Sequence, residues 1–162
     1  MPTTVTDASD TDPLALEAQL CLATSAAARA LVGVYRSLLE PLGLTHPQYL
    51  AMLALWQHGD LSLKQLAAVL QLEPATTSPL VKRLESLGLV TKTRAGGDER
   101  QLVIALTDEG RAMRADAVGI PAAMVDRLGL TRESIDEIRV GMETLLAACH
   151  RASSPEAFAT TP

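Results

Sequence analysis

The sequence predicts a mainly α-helical fold carrying one small β-hairpin, and three observations predict it. Hydrophobic residues make up 48% of the 162 residues but aromatics only 2%, so the core is built from Leu, Val and Ala. Ala and Leu are the strongest common helix formers. Apolar positions recur at helical spacing along most of the chain, and only the stretch after Gly88 changes to short β-type runs.

The first helix is expected over residues 14–40, where Leu16, Leu20, Ala23, Ala27, Leu31, Tyr35 and Leu38 share one stripe. It ends before Pro41 and Gly43. Thr45 is a candidate N-cap for a second helix, with Pro47 in its first turn, running through Trp56. HGDLS is a break, and Ser62 caps a short helix over residues 63–70. QLEP turns the chain into a helix opened by Pro74 and reaching about Leu87, with Pro79 expected to bend it. LVTKT and QLVIAL then read as strands flanking the loop RAGGDER, whose paired glycines permit a tight reversal. Thr107 caps a helix running to about Leu128, with Asp108 and Glu109 suited to the positive end of its dipole and a kink expected at Pro121. TRES opens a last helix over residues 135–150.

A short helix, a tight turn, a second helix and a charged hairpin describe a winged helix-turn-helix, here framed by long N- and C-terminal helices. Those outer helices need a partner for their apolar stripes. A second copy would supply one and would match palindromic double-stranded operator DNA; packing within one chain is the alternative. The expected organisation is a polar, disordered tail at residues 1–13 and a single domain at 14–151. A second disordered tail follows at 152–162. Within the domain, residues 45–107 read DNA, and helices at 14–40 and 108–151 dimerise.

Charge distribution supports a DNA role. The net charge of −5 argues against indiscriminate coating of nucleic acid. Yet residues 74–100 hold five cations against three carboxylates, a net +2 on a remainder of −7. Thr76, Thr77 and Ser78 offer small polar tips at the start of the fourth helix, with Lys82 and Arg83 further along. Recognition helices present such N-terminal residues to base edges while cations meet phosphates. Lys92, Arg94 and Arg100 add cations on the hairpin. An ordinary solvated charged face is the competing reading of these residues.

No apolar run approaches the 18–20 or so residues that span a bilayer. The N-terminus has no signal-peptide pattern. Two cysteines without an export signal predict a reducing, cytoplasmic setting and no membrane association. His46, His58 and His150 are scattered and form no metal-ligand cluster, and no cofactor motif appears. The absence of a βαβ frame and of Cys-x-x-Cys argues against the enzymatic alternative, a thiol peroxidase.

From about Leu16 to His150 the chain resembles the MarR family of transcriptional regulators, most strongly in GGDERQLVIALTDEG, which is similar to the family's D-x-R wing and L-T-x-x-G helix entry. The resemblance implies that Asp98 shapes the wing and that Arg100 reaches a minor groove. LEAQLC, VYRSLLEPLGLTHPQYLAMLALW and SPLVKRLESLGLV resemble the organic-hydroperoxide-sensing OhrR branch. That implies a repressor released from its operator when Cys21 is oxidised by an organic hydroperoxide, the inducer. The oxidised thiol is then capped by a low-molecular-weight thiol or joined to a resolving cysteine, for which Cys149 is the candidate. An interface or core role is the other reading of Cys149. Control by a small-molecule effector without cysteine oxidation is the alternative within the family.

The same resemblance nominates Tyr35 as a thiol-activating partner, with His46 standing where the branch usually has a second tyrosine. His46 could donate a hydrogen bond or carry positive charge, or simply be a solvent-exposed helix-start residue. Leu22 and Ser25 stand at positions usually aromatic in the branch, which implies a roomier pocket. Cys21 and Tyr35 are fourteen residues apart, about 21 Å along a straight helix. Their contact therefore requires Tyr35 from the second subunit of a homodimer.

Overall fold

A computed structural model describes residues 12–94 and 102–153. These fall into two compact units, one ending at Val118 and the other beginning at Gly119.

In the first unit, a 3₁₀ turn at Leu16–Ala18 leads into α1 (Leu20–Leu39). The helix starts six residues later than its apolar stripe suggested. Gln19 is extended, and its side-chain amide donates to the carbonyls of Pro13 and Ala15, folding the preceding segment into a separate turn. From Leu20 the Ala- and Leu-rich run is uninterrupted for 20 residues, Gly33 included. It closes through a 3₁₀ turn at Glu40–Leu42 and Gly43, whose φ of +65° suits glycine.

Helix α2 (His46–His58) starts at Thr45, whose backbone N–H donates to Gln48 Oε1 at 2.8 Å. The helix is the centre of the core, burying Tyr49, Ala51, Met52, Ala54 and Leu55. Strand β1 (Leu61–Ser62) passes directly into α3 (Leu63–Leu70). Ser62 caps α3 reciprocally: its hydroxyl accepts from Gln65 N at 3.2 Å, while its own N–H donates to Gln65 Oε1 at 2.9 Å. Gln71, at φ +55°, ends α3 in the left-handed conformation and aims the chain into α4 (Pro74–Ser86). Pro74 opens α4 where its missing N–H is harmless, and the helix continues past Pro79 to its expected end.

Strands β2 (Val90–Arg94) and β3 (Leu102–Leu106) form the hairpin. It is not two-stranded: β1 joins it, giving the antiparallel order β1-β3-β2, with Leu61 paired to Ile104 and Val90 to Leu106. Two residues offer too little pattern to mark β1 in the sequence. Helix α5 (Asp108–Ala117) follows, capped by Thr107, whose hydroxyl accepts from Gly110 N at 3.0 Å. That hydroxyl also donates to the Gly88 carbonyl at 2.6 Å, fastening the wing's exit to its entrance.

Gly110 is where the two ends of the wing meet. A Cβ there would run into the Leu89 carbonyl oxygen and come within 3.2 Å of Leu106 Cδ2. Its own carbonyl accepts from Trp56 Nε1 at 2.8 Å, tying α5 to α2.

The second unit holds α6 (Ile120–Leu128) and α7 (Arg132–Ala152). The single kinked helix expected between Thr107 and Leu128 is thus two helices, broken at Val118 and Gly119. Pro121 lies in the first turn of α6, a position that starts helices rather than bending them. Helix α7 begins earlier than expected because Thr131 caps it, accepting from Ser134 N at 3.1 Å. None of its 21 residues is buried, and Ile138, Val140, Met142 and Leu146 stand exposed.

Candidate functional site

Two groups of side chains carry chemistry. The first is the face of α4 and the wing. Thr76, Ser78, Lys82 and Arg83 are exposed on α4. Thr77 is not: it is fully buried, and its hydroxyl donates to the Glu73 carbonyl at 3.0 Å. The expectation that Thr77 presents a polar tip to DNA is therefore corrected. Position 77 faces inward with Val81 and Leu84, and its hydroxyl is spent on the helix's own first turn.

Lys92 lies opposite buried Ile104 in the hairpin register. Its stem shares a shallow hollow with Ser78, Val81 and Ile104, and its ammonium reaches Glu85 Oε2 at 3.0 Å. Lys92, expected to meet DNA from the hairpin, is thus paired to a carboxylate of α4. Arg94 ends β2. Asp98 and Arg100 lie outside the described residues.

The second group lies on α1 and α2. Cys21 is the second residue of α1 and is exposed. Near the other end of the same helix the Tyr35 ring is half-buried against His46, with centroids 4.9 Å apart, and against Tyr49 at 5.9 Å. The unbroken helix separates Cys21 from Tyr35 by about 21 Å. Tyr35 and His46 are therefore brought together, and the thiol of the same chain is kept away from them.

Burial is the leading cause of the pKa shifts in this trio. It raises the Tyr35 phenol above its ordinary range and lowers the His46 imidazole below its own. Tyr49 is raised by burial first and by the neighbouring Tyr35 second. His46 is thus held towards the neutral imidazole, a hydrogen-bond donor rather than a cation. Tyr49 was not singled out from the sequence; its signal was PQY one turn after His46, which puts 46 and 49 on one helix face.

Cys149, on α7, is exposed. Among the described residues no group of three or more His, Cys, Asp or Glu side chains could hold a metal ion. No helix among them is long and apolar enough to cross a membrane.

A capped short helix, a left-handed turn, a second helix with exposed polar and basic side chains and a sheet closing the unit define a winged helix-turn-helix DNA-binding protein. Comparison with known proteins makes this specific. The MarR family model matches residues 44–102. The organic hydroperoxide resistance transcriptional regulator of Bacillus subtilis is 36% identical over 86% of this chain and 95% of its own. The HTH-type transcriptional regulator TtmR of Methylorubrum extorquens is 42% identical over 83% of this chain and 67% of its own. Reduced AbfR bound to DNA, a Staphylococcus epidermidis protein, superposes with a TM-score of 0.74 at 30% identity, covering 86% of this chain and 95% of that one. The chain belongs to the MarR family of transcriptional regulators.

Proposed function

We propose that this chain is a homodimeric, thiol-switched repressor that leaves its operator when an organic hydroperoxide oxidises Cys21. The observation that carries the reading is the unbroken α1. It exposes Cys21 at one end and assembles Tyr35 and His46 at the other, so two copies running past one another would complete two identical thiol sites. The exposed apolar side chains of α1 and α7 supply surface for that pairing.

In the reaction the Cys21 thiolate attacks the terminal oxygen of the hydroperoxide. The O–O bond breaks, the alkoxide leaves as an alcohol after protonation, and the thiol becomes a sulfenic acid. Tyr35 and His46 of the second subunit donate hydrogen bonds to the thiolate and to the departing oxygen. A second thiol then displaces water to form a disulfide, supplied by a low-molecular-weight thiol or by Cys149. The setting is the reducing cytoplasm.

In the reduced state Thr76 and Ser78 meet base edges of a palindromic operator, and Lys82 and Arg83 meet phosphates. Arg94 adds a backbone contact. Arg100, placed by Asp98, enters a minor groove. Support comes from the kinship with a hydroperoxide resistance regulator and with a protein solved on DNA in its reduced form.

The test is binding to duplex from upstream of the protein's own gene, with and without cumene hydroperoxide, for wild type and Cys21→Ser. The expected result is release of the wild type and retention of the variant. Equal release of both proteins refutes the thiol switch and leaves effector binding as the means of control.

A further inference from the structure

Glu85 is an anomaly on a surface read as meeting DNA. Ser78, Lys82 and Glu85 follow one another at i, i+4 and i+7, which places the carboxylate on the same face of α4 as two proposed contacts. An uncovered carboxylate there would repel phosphate. It is covered, because Lys92 rises from the wing's inner face beside Ile104 and reaches Glu85 Oε2 at 3.0 Å. Both side chains keep over a third of their surface exposed, at 36% for Lys92 and 41% for Glu85. The pair therefore adds little to folding stability, but it removes one free cation from the surface that DNA approaches.

We propose that Glu85 is a specificity-determining residue that holds the Lys92 ammonium, so the wing root meets DNA as a neutral, positioned pair rather than as a free cation. The inference rests on the DNA-binding reading of this face. Attraction to any duplex grows with each free cation, because each phosphate neutralised releases condensed counterions irrespective of sequence. Tying Lys92 down withholds one such contact from random DNA. It also fixes β2 against α4, so the wing and the recognition helix reach a correct site in one geometry.

The experiment is a double-mutant cycle of Glu85→Gln, Lys92→Met and the double variant. Affinity is measured from 50 to 200 mM salt on the upstream duplex and on a scrambled duplex of equal length. Glu85→Gln is expected to tighten scrambled-duplex binding by up to about eightfold near 0.1 M salt, and to steepen the salt slope by about 0.9. The ratio of specific to non-specific affinity should fall at least threefold. Lys92→Met alone should weaken scrambled-duplex binding by no more than about twofold, because the exposed Glu85 carboxylate is screened near 0.1 M salt. The double variant should return to wild-type non-specific affinity, so that Glu85→Gln acts about eightfold with Lys92 present and about twofold or less without it. Thermal melting checks that all variants fold. An unchanged Glu85→Gln protein, or one with the same effect whether or not Lys92 is present, overturns the proposal. A wild type that binds neither duplex overturns the DNA-binding reading itself, and this inference with it.

Discussion

Replacing Gly110 by alanine tests how the wing is fastened to the core. In an open helix the change would stabilise by roughly 0.5–1 kcal/mol, because glycine loses more chain entropy on folding. Here the new methyl meets the Leu89 carbonyl oxygen, with the Leu89 carbonyl carbon 3.0 Å away and Leu106 Cδ2 3.2 Å away. Backbone cannot rotate aside as a side chain can, so α5 must shift. Overpacking of this kind costs roughly 1–3 kcal/mol. The shift also strains the 2.8 Å bond from Trp56 to the Gly110 carbonyl, worth about 1 kcal/mol. The net expectation is a loss of about 1–3 kcal/mol, read as a fall in Tm of about 2–4 °C per kcal/mol for a chain of this size. Thermal and urea melts measure it, with Gly119→Ala as the control. That position has negative φ and no atom within 4 Å, so the control should stay within about 0.5 kcal/mol. A Gly110→Ala protein as stable as wild type would show that the wing root is loose and that the argument is wrong.

Three further outcomes follow from the same geometry. Ser62→Ala removes the reciprocal cap of α3 and should cost about 1 kcal/mol by urea titration, without altering the slope of unfolding free energy against urea. Thr77→Val should leave DNA affinity unchanged in a binding titration, because the buried hydroxyl faces Glu73, whereas Thr76→Ala and Ser78→Ala should weaken it. The His46 pKa is lowered by burial, so the unfolded chain takes up the proton at a higher pH than the folded one. Its contribution to stability is complete above about pH 6.5 and falls as the pH drops from there towards the folded value. Melts between pH 7.5 and 5 should show wild type losing more stability than His46→Gln.

The caps carried most of what the sequence revealed. Thr45, Ser62, Pro74 and Thr107 open helices where their chemistry said they would, since N-capping and Pro at the first turn are decided by neighbouring residues. Errors arose where a longer-range partner decided. Leu61 and Ser62 become a strand only because β3 lies beside them, and Thr77 is inward because α4 sits on a particular side of the core. Pro121 signals a kink along the chain, but the break falls at Gly119 and the proline sits in the first turn of the next helix. The Tyr35–His46 pair was nominated by family resemblance, and its joining with Tyr49 needed the packing of α1 on α2. The Glu85–Lys92 pair crosses from helix to strand and has no signature along the chain.

The rigid span of α1 has a genetic consequence under the proposed site. Each oxidation centre would draw its sulfur from one polypeptide and its phenol from the other. A Cys21→Ser dimer and a Tyr35→Phe dimer would then each lack two competent centres. Mixed dimers would pair the wild-type Cys21 of one allele with the wild-type Tyr35 of the other and restore one centre of the two. Two defective alleles co-expressed in one cell should therefore complement, which neither could do if each chain sensed alone.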